Sequence, residues 1–377
     1  MTNRAELAII GGGQLARMMA QPAIALGIDL RLLAEDSDVS AAQVIAVHEV
    51  GDHTVLADLE RAIGAAPVVT FDHEHVPLDL QRALDATGHA CRPGPHALAF
   101  AQDKIAMRER LTALGVPCPR WAVVETPEDV ESFGFPLVLK TARGGYDGKG
   151  VWIVRSAADA AEVFAVRPEG IDLLAEELVD FRRELSAQVA RRPSGQTETY
   201  PVVESRQAGG VCAEVVAPAP DLAAELAEEA AVIARTVATE LDVVGMLAVE
   251  LFETADGRLL VNELAMRPHN TGHWSIDGAA TSQFENHLRA VLDLPLGPAT
   301  PRQPWAVMVN ILGGAVTDLV AQRAVALEAE PGVHVHLYGK AVKPGRKVGH
   351  VTAVGDDLDE VLRRARRSAA LMTNGEQ

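Results

Sequence analysis

The sequence is short of cysteine, of long apolar runs and of positive charge. Its three cysteines, Cys91, Cys118 and Cys212, are widely spaced and form no CxxC pair, so neither a disulfide framework nor a cysteine zinc site is indicated. No apolar stretch reaches the roughly 20 residues that a membrane-spanning helix needs. The first residues also lack the apolar core of a signal peptide. These absences predict a cytoplasmic protein.

The charge balance is acidic. The chain of 377 residues carries 34 Lys and Arg against 52 Asp and Glu, a formal net charge of −18. This balance argues against a general nucleic-acid binder or a polybasic membrane protein, and an anionic ligand would require positive charge to be concentrated locally. The length and a hydrophobic content of 48% predict two or three ordinary globular domains.

The first hundred residues alternate apolar runs with helical stretches. Such runs, of which the first lies at 7–10 and the last at 68–71, predict βαβ units and a parallel sheet. The glycines at 11–13, Glu35 and Glu74 directly follow these runs. Because ligands bind at the carboxyl ends of parallel strands, these residues are candidates for a site.

Proline and glycine clusters divide the rest of the chain. Pro93 and Pro95 end the first unit, and Gly115, Pro117 and Pro119 end a helix that follows it. Shorter strands then alternate with loops, which predicts a smaller α+β unit. The predicted limits are an N-terminal α/β domain at 1–100, a linker helix at 101–120, a small domain at 121–200 and a C-terminal domain at 201–377.

The first glycine-rich motif is Gly11-Gly12-Gly13-Gln14-Leu15-Ala16, which fits G-x-G-x-x-A. Glycine lets the backbone approach a phosphate, and the following helix offers free N–H donors. With Glu35 about 20 residues further on, the motif alone predicts an NAD-dependent oxidoreductase. A tight strand-to-helix turn without a ligand is the alternative.

A second glycine-rich loop lies at 140–150, between two predicted strands. Its backbone N–H groups can surround a polyphosphate, and Lys140 and Lys149 add positive charge. A strand rather than a helix follows the loop, so it is not a P-loop. A mobile hairpin is the alternative.

Two carboxylates lie at nearly equal distances from the turn Asp256-Gly257. This dipeptide between apolar runs predicts a hairpin, which makes Glu250 and Glu263 cross-strand neighbours. Adjacent like charges repel unless a cation lies between them, and oxygen ligands suit Mg²⁺. Unrelated surface carboxylates are the alternative.

The loop after Glu263 contains Arg267, a natural ligand for a carboxylate or phosphate. His269 and His273 have the i, i+4 spacing of a helical zinc site, but Pro268 and Gly272 oppose a helix there.

A final segment places four cations within eight residues of an acidic protein: Lys340, Lys343, Arg346 and Lys347. Proline and glycine keep it loop-like, which favours a phosphate-facing patch over a solvated helix face.

Together these motifs resemble the ATP-grasp superfamily, and within it the N5-carboxyaminoimidazole ribonucleotide synthetase family. The resemblance covers nearly the whole chain and rests on GGGQLARM, TFDHEHVP, GGYDGKG, NELAMRPHNTGHW and the LYGK and PGRKVGH segments. It implies an ATP-grasp fold with an N-terminal Rossmann-like parallel-sheet domain, a small lid domain and a C-terminal mixed-sheet domain.

The resemblance also implies an activity. The expected reaction joins bicarbonate to 5-aminoimidazole ribonucleotide at the expense of ATP, through carboxyphosphate, in purine biosynthesis. It further implies Mg²⁺ as cofactor and a homodimer. A formate-using glycinamide ribonucleotide transformylase and a biotin carboxylase are alternatives within the superfamily. An NAD-dependent dehydrogenase or a catalytically silent binding protein are alternatives outside it.

The resemblance assigns roles residue by residue. Residues expected to bind ATP are Lys104, Lys140, Gly144, Gly145, Tyr146, Asp147, Gly148, Lys149, Gly150, Glu176, Glu177, Leu178, Val179, Glu184, Gln207, Asn262 and Glu263. Residues expected to bind the ribonucleotide and bicarbonate are Gly13, Gln14, Leu15, Glu74, Tyr146, Lys149, Arg267, Lys340 and Arg346. The expected metal ligands are Glu250 and Glu263, and the expected catalytic residues are Lys140, Tyr146, Lys149 and Arg267.

Three positions depart from the family pattern. Gln207 replaces a frequent histidine near the nucleotide, and Met266 replaces a frequent proline before Arg267. Lys149 replaces a frequent arginine, which keeps the charge but loses a bidentate fork.

Overall fold

The computed structural model describes residues 6–145 and 149–375. Within these residues the strands form three sheets of five, four and nine strands, which follow one another along the chain. The described helices include none that is long and apolar enough to cross a membrane.

The first sheet is parallel, as the alternation of strands and helices predicts. Its elements are β1 Glu6–Ile10, α1 Gln14–Leu26, β2 Asp29–Ala34, β3 Val47–Val50, α2 Leu56–Ile63, β4 Val68–Phe71, α3 Leu78–Ala86 and β5 Ala90–Cys91. The strand order is β3-β2-β1-β4-β5. Leu7 and Ile9 of β1 pack on the α1 side, and Ala8 and Ile10 pack on the α2 side. Both faces are therefore buried, which is typical of a parallel sheet.

Two helices lead into a four-stranded antiparallel sheet. The elements are α4 Pro95–Gln102, α5 Lys104–Ala113, β6 Trp121–Val124, α6 Pro127–Phe133, β7 Leu137–Thr141, β8 Val151–Val154, α7 Ala157–Val166 and β9 Leu173–Glu177. Asp103 caps α5 by accepting the backbone N–H groups of Ile105 and Ala106, which fixes the first turn of the helix around Lys104. β7 and β8 pair on either side of the second glycine-rich loop.

The remaining strands form the nine-stranded sheet. The elements are β10 Phe181–Arg191, β11 Thr197–Thr199, β12 Val203–Ala208, β13 Val211–Ala217, α8 Ala224–Glu240, β14 Gly245–Thr254, β15 Leu259–Ala265, a 3₁₀ turn Asn270–Gly272, α9 Ser275–Gly278, α10 Gln283–Val291, β16 Trp305–Leu312, α11 Leu319–Ala329, β17 Val333–Leu337, β18 Lys347–Gly355 and α12 Leu358–Asn374. The order is β15-β14-β10-β12-β13-β16-β18-β17, with β11 beside β10. β10 and β11 thus lie in this sheet, although the sequence pattern groups 181–200 with the small domain.

Every strand pair described for this sheet is antiparallel, so the expectation of a mixed sheet is wrong for it. Hairpins such as the one at Asp256-Gly257 connect consecutive strands, and a hairpin reverses the chain direction. The overall expectation of a parallel-sheet domain, a small lid and a larger α+β domain is confirmed.

The two faces of the nine-stranded sheet differ. Leu185, Ala187 and Val189 of β10 pack with the apolar side of α8. Because side chains alternate along a strand, Glu184 and Ser186 lie on the opposite face, beside Glu250 of β14. That polar face carries the candidate site.

Candidate active site

The predicted metal ligands face each other across the hairpin. Glu250 of β14 pairs directly with Glu263 of β15. Burial, together with the carboxylates of Glu263 and Glu184, raises the pKa of Glu250 to about 8 against the opposing effect of Arg267. The charge of Glu250 is therefore poorly compensated by the protein itself, which a bound cation would correct.

The donor set fits Mg²⁺ held jointly with a substrate. Among residues 6–145 and 149–375, no three His, Cys, Asp or Glu side chains are arranged to hold an ion on their own. Mg²⁺ is commonly bound by one or two carboxylates together with waters and substrate phosphates. The His269 Nε2 atom lies 3.3 Å from Glu250 Oε1. Burial keeps the pKa of His269 well below its ordinary value, so its imidazole stays neutral beside the carboxylate.

The two lysines predicted to bind ATP lie beside this pair. Lys104 Nζ is 2.6 Å from Glu263 Oε1. Lys140 Nζ is 3.0 Å from Asn262 Oδ1 and 2.7 Å from Glu176 Oε2. The fold therefore brings together two cations and two carboxylates from α5, β7, β9 and β15, as an ATP-phosphate site requires.

Sequence reasoning missed Arg108, which lies at the centre of this group. Its side chain is fully buried, and Nε lies 2.6 Å from Glu176 Oε1. The other guanidinium nitrogens donate to the carbonyls of Val261 and Asn262. A sequence signal existed, because Arg108 follows Lys104 by four residues and i, i+4 residues share one helix face.

The predicted nucleotide hinge joins the two later sheets. Glu176 and Glu177 end β9, and Leu178 and Val179 lead into β10. Residues 177–180 line a cavity together with the hairpin turn around Asp256. Glu184 lies three residues into β10, where burial raises the pKa of its carboxyl.

Two of the family departures have visible consequences. Gln207 is exposed on β12, and its amide donates to Ser205 Oγ at 3.1 Å. The backbone N–H of Met266 donates to Glu74 Oε1 at 3.0 Å. A proline at this position would have no N–H to donate, so Met266 gives Glu74 a hydrogen bond that the frequent proline cannot.

Glu74 and Arg267, both predicted for the aminoimidazole and bicarbonate pocket, form an ion pair with 2.8 Å between Nε and Oε2. Burial tends to lower the pKa of Arg267, but the carboxylates of Glu74, Asp72 and Glu250 together raise it above its ordinary value. Arg267 is thus charged, and its charge is favoured both by Glu250, a predicted metal ligand, and by Glu74 and Asp72 of the first domain.

The predicted ribonucleotide-phosphate residues also meet. Gly13 caps the start of α1 in an extended conformation. Lys340, from the loop between β17 and β18, donates to the side-chain oxygen of Gln14. Burial lowers the pKa of Lys340, and the nearby Arg346 lowers it further. A helix N-terminus with two neighbouring cations fits a phosphate group.

Two carboxylates to which the family resemblance assigns no role, Asp72 and Glu35, contact the same turn. Gly13 N–H donates to Asp72 Oδ2 at 2.6 Å, and Gly12 N–H donates to Glu35 Oε2 at 3.2 Å. Burial raises the pKa of Asp72 to about 7, and Glu35 adds to the rise while Arg267 and Lys340 oppose it. Glu35, the acid of the dinucleotide interpretation, is therefore engaged by the glycine turn itself.

The second glycine-rich loop closes a hairpin beside Lys140. Gly144 and Gly150 adopt positive φ angles of 75° and 70°, which favour glycine. The Thr141 N–H donates to the Gly150 carbonyl at 2.9 Å and closes the loop. Lys149 lies next to this closure, whereas the predicted residues Tyr146, Asp147 and Gly148 lie outside the described residues.

Comparison with protein families gives matches over most of the chain. Residues 4–102 match the ribonucleotide synthetase preATP-grasp domain, 109–284 match the ATP-grasp domain, and 306–364 match the phosphoribosylaminoimidazole carboxylase C-terminal domain.

Similar proteins carry one name. The chain is 52% identical to the N5-carboxyaminoimidazole ribonucleotide synthase of Mycobacterium tuberculosis, over 98% of this chain and 88% of that protein. It is 48% identical to the synthase of Corynebacterium ammoniagenes, over 98% of this chain and 92% of that protein.

Solved structures agree. The Aspergillus clavatus synthase in complex with ADP and 5-aminoimidazole ribonucleotide matches with a TM-score of 0.89 at 32% identity, covering 99% of both chains. The Thermus thermophilus synthetase matches with a TM-score of 0.88 at 39% identity, covering 98% of both chains.

Proposed function

The chain belongs to the N5-carboxyaminoimidazole ribonucleotide synthase family, ATP-grasp ligases that form a C–N bond in purine biosynthesis, and we propose that it takes bicarbonate as the carboxyl donor. Its activity is the ATP-dependent synthesis of N5-carboxyaminoimidazole ribonucleotide. The observation that supports the proposed residue roles best is the position of Arg267. It forms an ion pair with Glu74 and also acts to lower the pKa of Glu250. Arg267 thereby connects an ATP end and a ribonucleotide end of one site.

The ATP end is proposed to activate bicarbonate. A bicarbonate oxygen attacks the γ-phosphorus in line, the bond to the ADP oxygen breaks, and carboxyphosphate forms. Lys104, Lys140 and Lys149 stabilise the negative charge that develops on the phosphoryl oxygens. Glu250 and Glu263 would hold Mg²⁺, with Asn262 alongside, and the ion would add further positive charge at the phosphates. Glu176, Glu177, Leu178 and Val179 would hold the adenine, and Glu184 the ribose hydroxyls.

The ribonucleotide end is proposed to present the amine. The exocyclic nitrogen attacks the carbon of carboxyphosphate, or of CO₂ released from it. Phosphate leaves, and the nitrogen loses a proton to give the carbamate. Glu74 and Arg267 position the aminoimidazole and the carboxyl donor, while Lys340, Arg346 and the turn from Gly13 to Leu15 hold the ribose phosphate. The loop at 144–150, with Tyr146, would exclude water, because carboxyphosphate hydrolyses readily.

The organisation around this site is also proposed. Sheet membership supports an N-terminal domain at 1–100, a linker at 101–120 and a lid from 121, with the strands at 181–200 assigned to the C-terminal domain. A homodimer in the cytoplasm follows from the family resemblance, and sedimentation at micromolar concentration would measure the dimer.

The test follows phosphate release and the fate of labelled oxygen. With ATP, Mg²⁺, 5-aminoimidazole ribonucleotide and ¹⁸O-labelled bicarbonate, one labelled oxygen should appear in phosphate for each product formed. Replacing bicarbonate by formate, or the ribonucleotide by biotin, should abolish turnover and so separate the related ligases. Phosphate release that is unchanged when bicarbonate is withdrawn would contradict the proposal.

A further inference from the structure

Arg108 makes three interactions with oxygen atoms from a fully buried position, and its Nη1 also donates to Cys118 Sγ at 3.8 Å. Its Nε atom is 2.6 Å from Glu176 Oε1. Its two terminal nitrogens donate to the carbonyls of Val261 and Asn262, at 2.9 and 2.7 Å. These carbonyls come immediately before the metal ligand Glu263 on β15. A single guanidinium on α5 therefore contacts both the end of the lid strand β9 and the metal-binding strand.

Glu176 is shared between two cations. One of its oxygens faces Arg108, and the other lies 2.7 Å from Lys140 Nζ. Burial opposes ionisation, but Arg108 and Lys140 lower the pKa of Glu176 below its ordinary value, so the carboxylate is charged. The third partner in the group, Asn262 Oδ1, is neutral.

One carboxylate can balance only one of the two cations. The buried group of Arg108, Glu176 and Lys140 therefore keeps one positive charge. If Arg108 were neutral, Glu176 and Lys140 would form a neutral pair, and the attraction of Lys140 for an anion would be largely cancelled. Charge effects of this kind are strong where water is excluded.

We propose that Arg108 is a positioning residue for ATP: it compensates Glu176, so that the charge of Lys140 remains available to the phosphates. It also holds the carbonyls that precede Glu263. This inference rests on the proposed role of Lys140 as a phosphate-binding residue. Arg108 itself touches neither the nucleotide nor the metal, because Glu176 and the β15 backbone lie between.

A purely structural role makes a different prediction from an electrostatic one. If Arg108 only held strands together, its loss would weaken the binding of adenosine and of ATP alike, because both ligands need the same cleft. If Arg108 preserves the charge of Lys140, its loss would weaken the binding of ligands that carry phosphates and leave the binding of adenosine unchanged.

The experiment compares Arg108→Gln, which is neutral but still donates hydrogen bonds, with Arg108→Lys, which keeps the charge. Dissociation constants for adenosine, ADP and ATP are measured by competition against a fluorescent ADP analogue. Arg108→Gln should raise the dissociation constants of ADP and ATP about tenfold or more and change that of adenosine less than about twofold. For Arg108→Lys, the dissociation constants of all three ligands should stay within about threefold of the wild-type values. Arg110→Met is the matched control and should change none of them, because Arg110 lies on the same helix, is half-buried and pairs with Glu240.

The double variant Arg108→Gln with Glu176→Gln completes the test. Removing the carboxylate together with the arginine frees Lys140 again. The backbone groups at position 176, which are the part expected to hold the adenine, are unchanged. ADP and ATP affinity should therefore return to within about threefold of the wild type. The same double variant serves if Arg108→Gln alone fails to fold, because it keeps the single positive net charge that the group has in the wild type. Equal losses for adenosine and ATP, or a double variant weaker than either single one, would overturn the role of Arg108. A wild type that binds adenosine as tightly as ATP would instead refute the role of Lys140.

Discussion

The two ends of the proposed active site, an ATP end and a ribonucleotide end, differ in how their charges are balanced. At the ATP end, Glu263 has Lys104 as partner, and Glu176 has Arg108 and Lys140. At the ribonucleotide end, Asp72 and Glu35 accept hydrogen bonds from the backbone of the glycine turn. The pKa of Asp72 is raised to about 7 by burial and by Glu35. Glu263 and Glu176 are thus compensated by cations, and Glu250, with a pKa of about 8, is the carboxyl of the ATP end that is left for a bound cation. At the ribonucleotide end, Asp72 lies close to its protonation point, and backbone N–H groups take the place of the cations.

The difference has a structural origin. Residues of the ATP end lie on paired strands and on one capped helix, where register fixes their neighbours. The ribonucleotide end is built from loop ends that are distant in sequence, as the contact between Gln14 and Lys340 shows. Strand register therefore fixes the neighbours of the residues at the ATP end, whereas the neighbours at the ribonucleotide end depend on how distant loops pack.

The largest expected effect comes from breaking the ATP end at Glu263. In Glu263→Gln the cross-strand pair with Glu250 loses one of two charges for a metal ion, and Lys104 loses its carboxylate partner. We expect the rate of ribonucleotide-dependent ATP hydrolysis to fall by about a hundredfold or more, because charge stabilisation at the phosphates is a large part of phosphoryl transfer. Steady-state phosphate release at saturating Mg²⁺ and ATP measures it.

Asp256→Asn is the control for this change. Asp256 lies in the exposed turn of the same hairpin, and its side chain bonds with Thr254 and Arg258 on either side of that turn. Its substitution should alter the rate less than about twofold. If Glu263→Gln kept the full ribonucleotide-dependent ATPase activity, the assignment of the metal ligands would be wrong.

A smaller and more selective effect is expected at the other end, in Lys340→Met. The variant removes the cation beside Gln14 at the start of α1. Hydrogen bonds to charged groups contribute about 1.5–3 kcal/mol, so KM for 5-aminoimidazole ribonucleotide should rise roughly ten- to a hundredfold. KM for ATP should change less than about threefold, which initial-rate measurements with each substrate varied would show.

The neighbouring Lys343→Met supplies the comparison, because Lys343 is exposed in the same loop. It should leave both KM values nearly unchanged. A rise in KM for ATP equal to that for the ribonucleotide in Lys340→Met would mean that the two ends are not separate.

The pairing of Glu250 with Glu263, at the proposed ATP end, was predictable from the sequence because local rules determine it. Counting residues outward from the Asp256-Gly257 turn places Glu250 opposite Glu263, and the structure has that register. The parallel first sheet follows in the same way from alternating apolar runs. Arg108 escaped prediction because a buried arginine looks like any other charged residue of an amphipathic helix until its partners on other strands are known.

The ribonucleotide end was predictable only through the family resemblance. Nothing in the spacing of Gln14 and Lys340 indicates that they touch, since the last strands fold back on the first domain through tertiary packing. Asp72 lies in the quoted TFDHEHVP stretch, but its burial and its bond to Gly13 depend on how closely β4 and the glycine turn approach. Such distances are set by packing and not by local propensity.

The smallest expected effect concerns Asp72 and appears as a change of stability with pH. The ordinary pKa of an aspartate is 3.8, and burial raises that of Asp72 to about 7 in the folded protein. Between these values the folded state holds a proton that the unfolded state has lost, so Asp72 makes the protein less stable as the pH rises towards 7. Asp72→Asn removes this penalty, because asparagine cannot ionise and its side-chain oxygen can still accept the Gly13 N–H.

The stability gain of Asp72→Asn over the wild type should therefore grow between pH 5.5 and pH 8 and level off above 7. The interval up to pH 7 is about 1.5 units, and at about 1.4 kcal/mol per unit the growth is about 2 kcal/mol. Free energies of unfolding in urea at the two pH values measure it, with Asp356→Asn at an exposed turn as a control that should show no such growth. A gain that does not change with pH would mean that Asp72 is not close to its protonation point. A loss of stability in Asp72→Asn that grows with pH would mean that Lys340 and Arg267 already stabilise an ionised Asp72. The charge of Asp72 would then be as well compensated as the charges of Glu263 and Glu176.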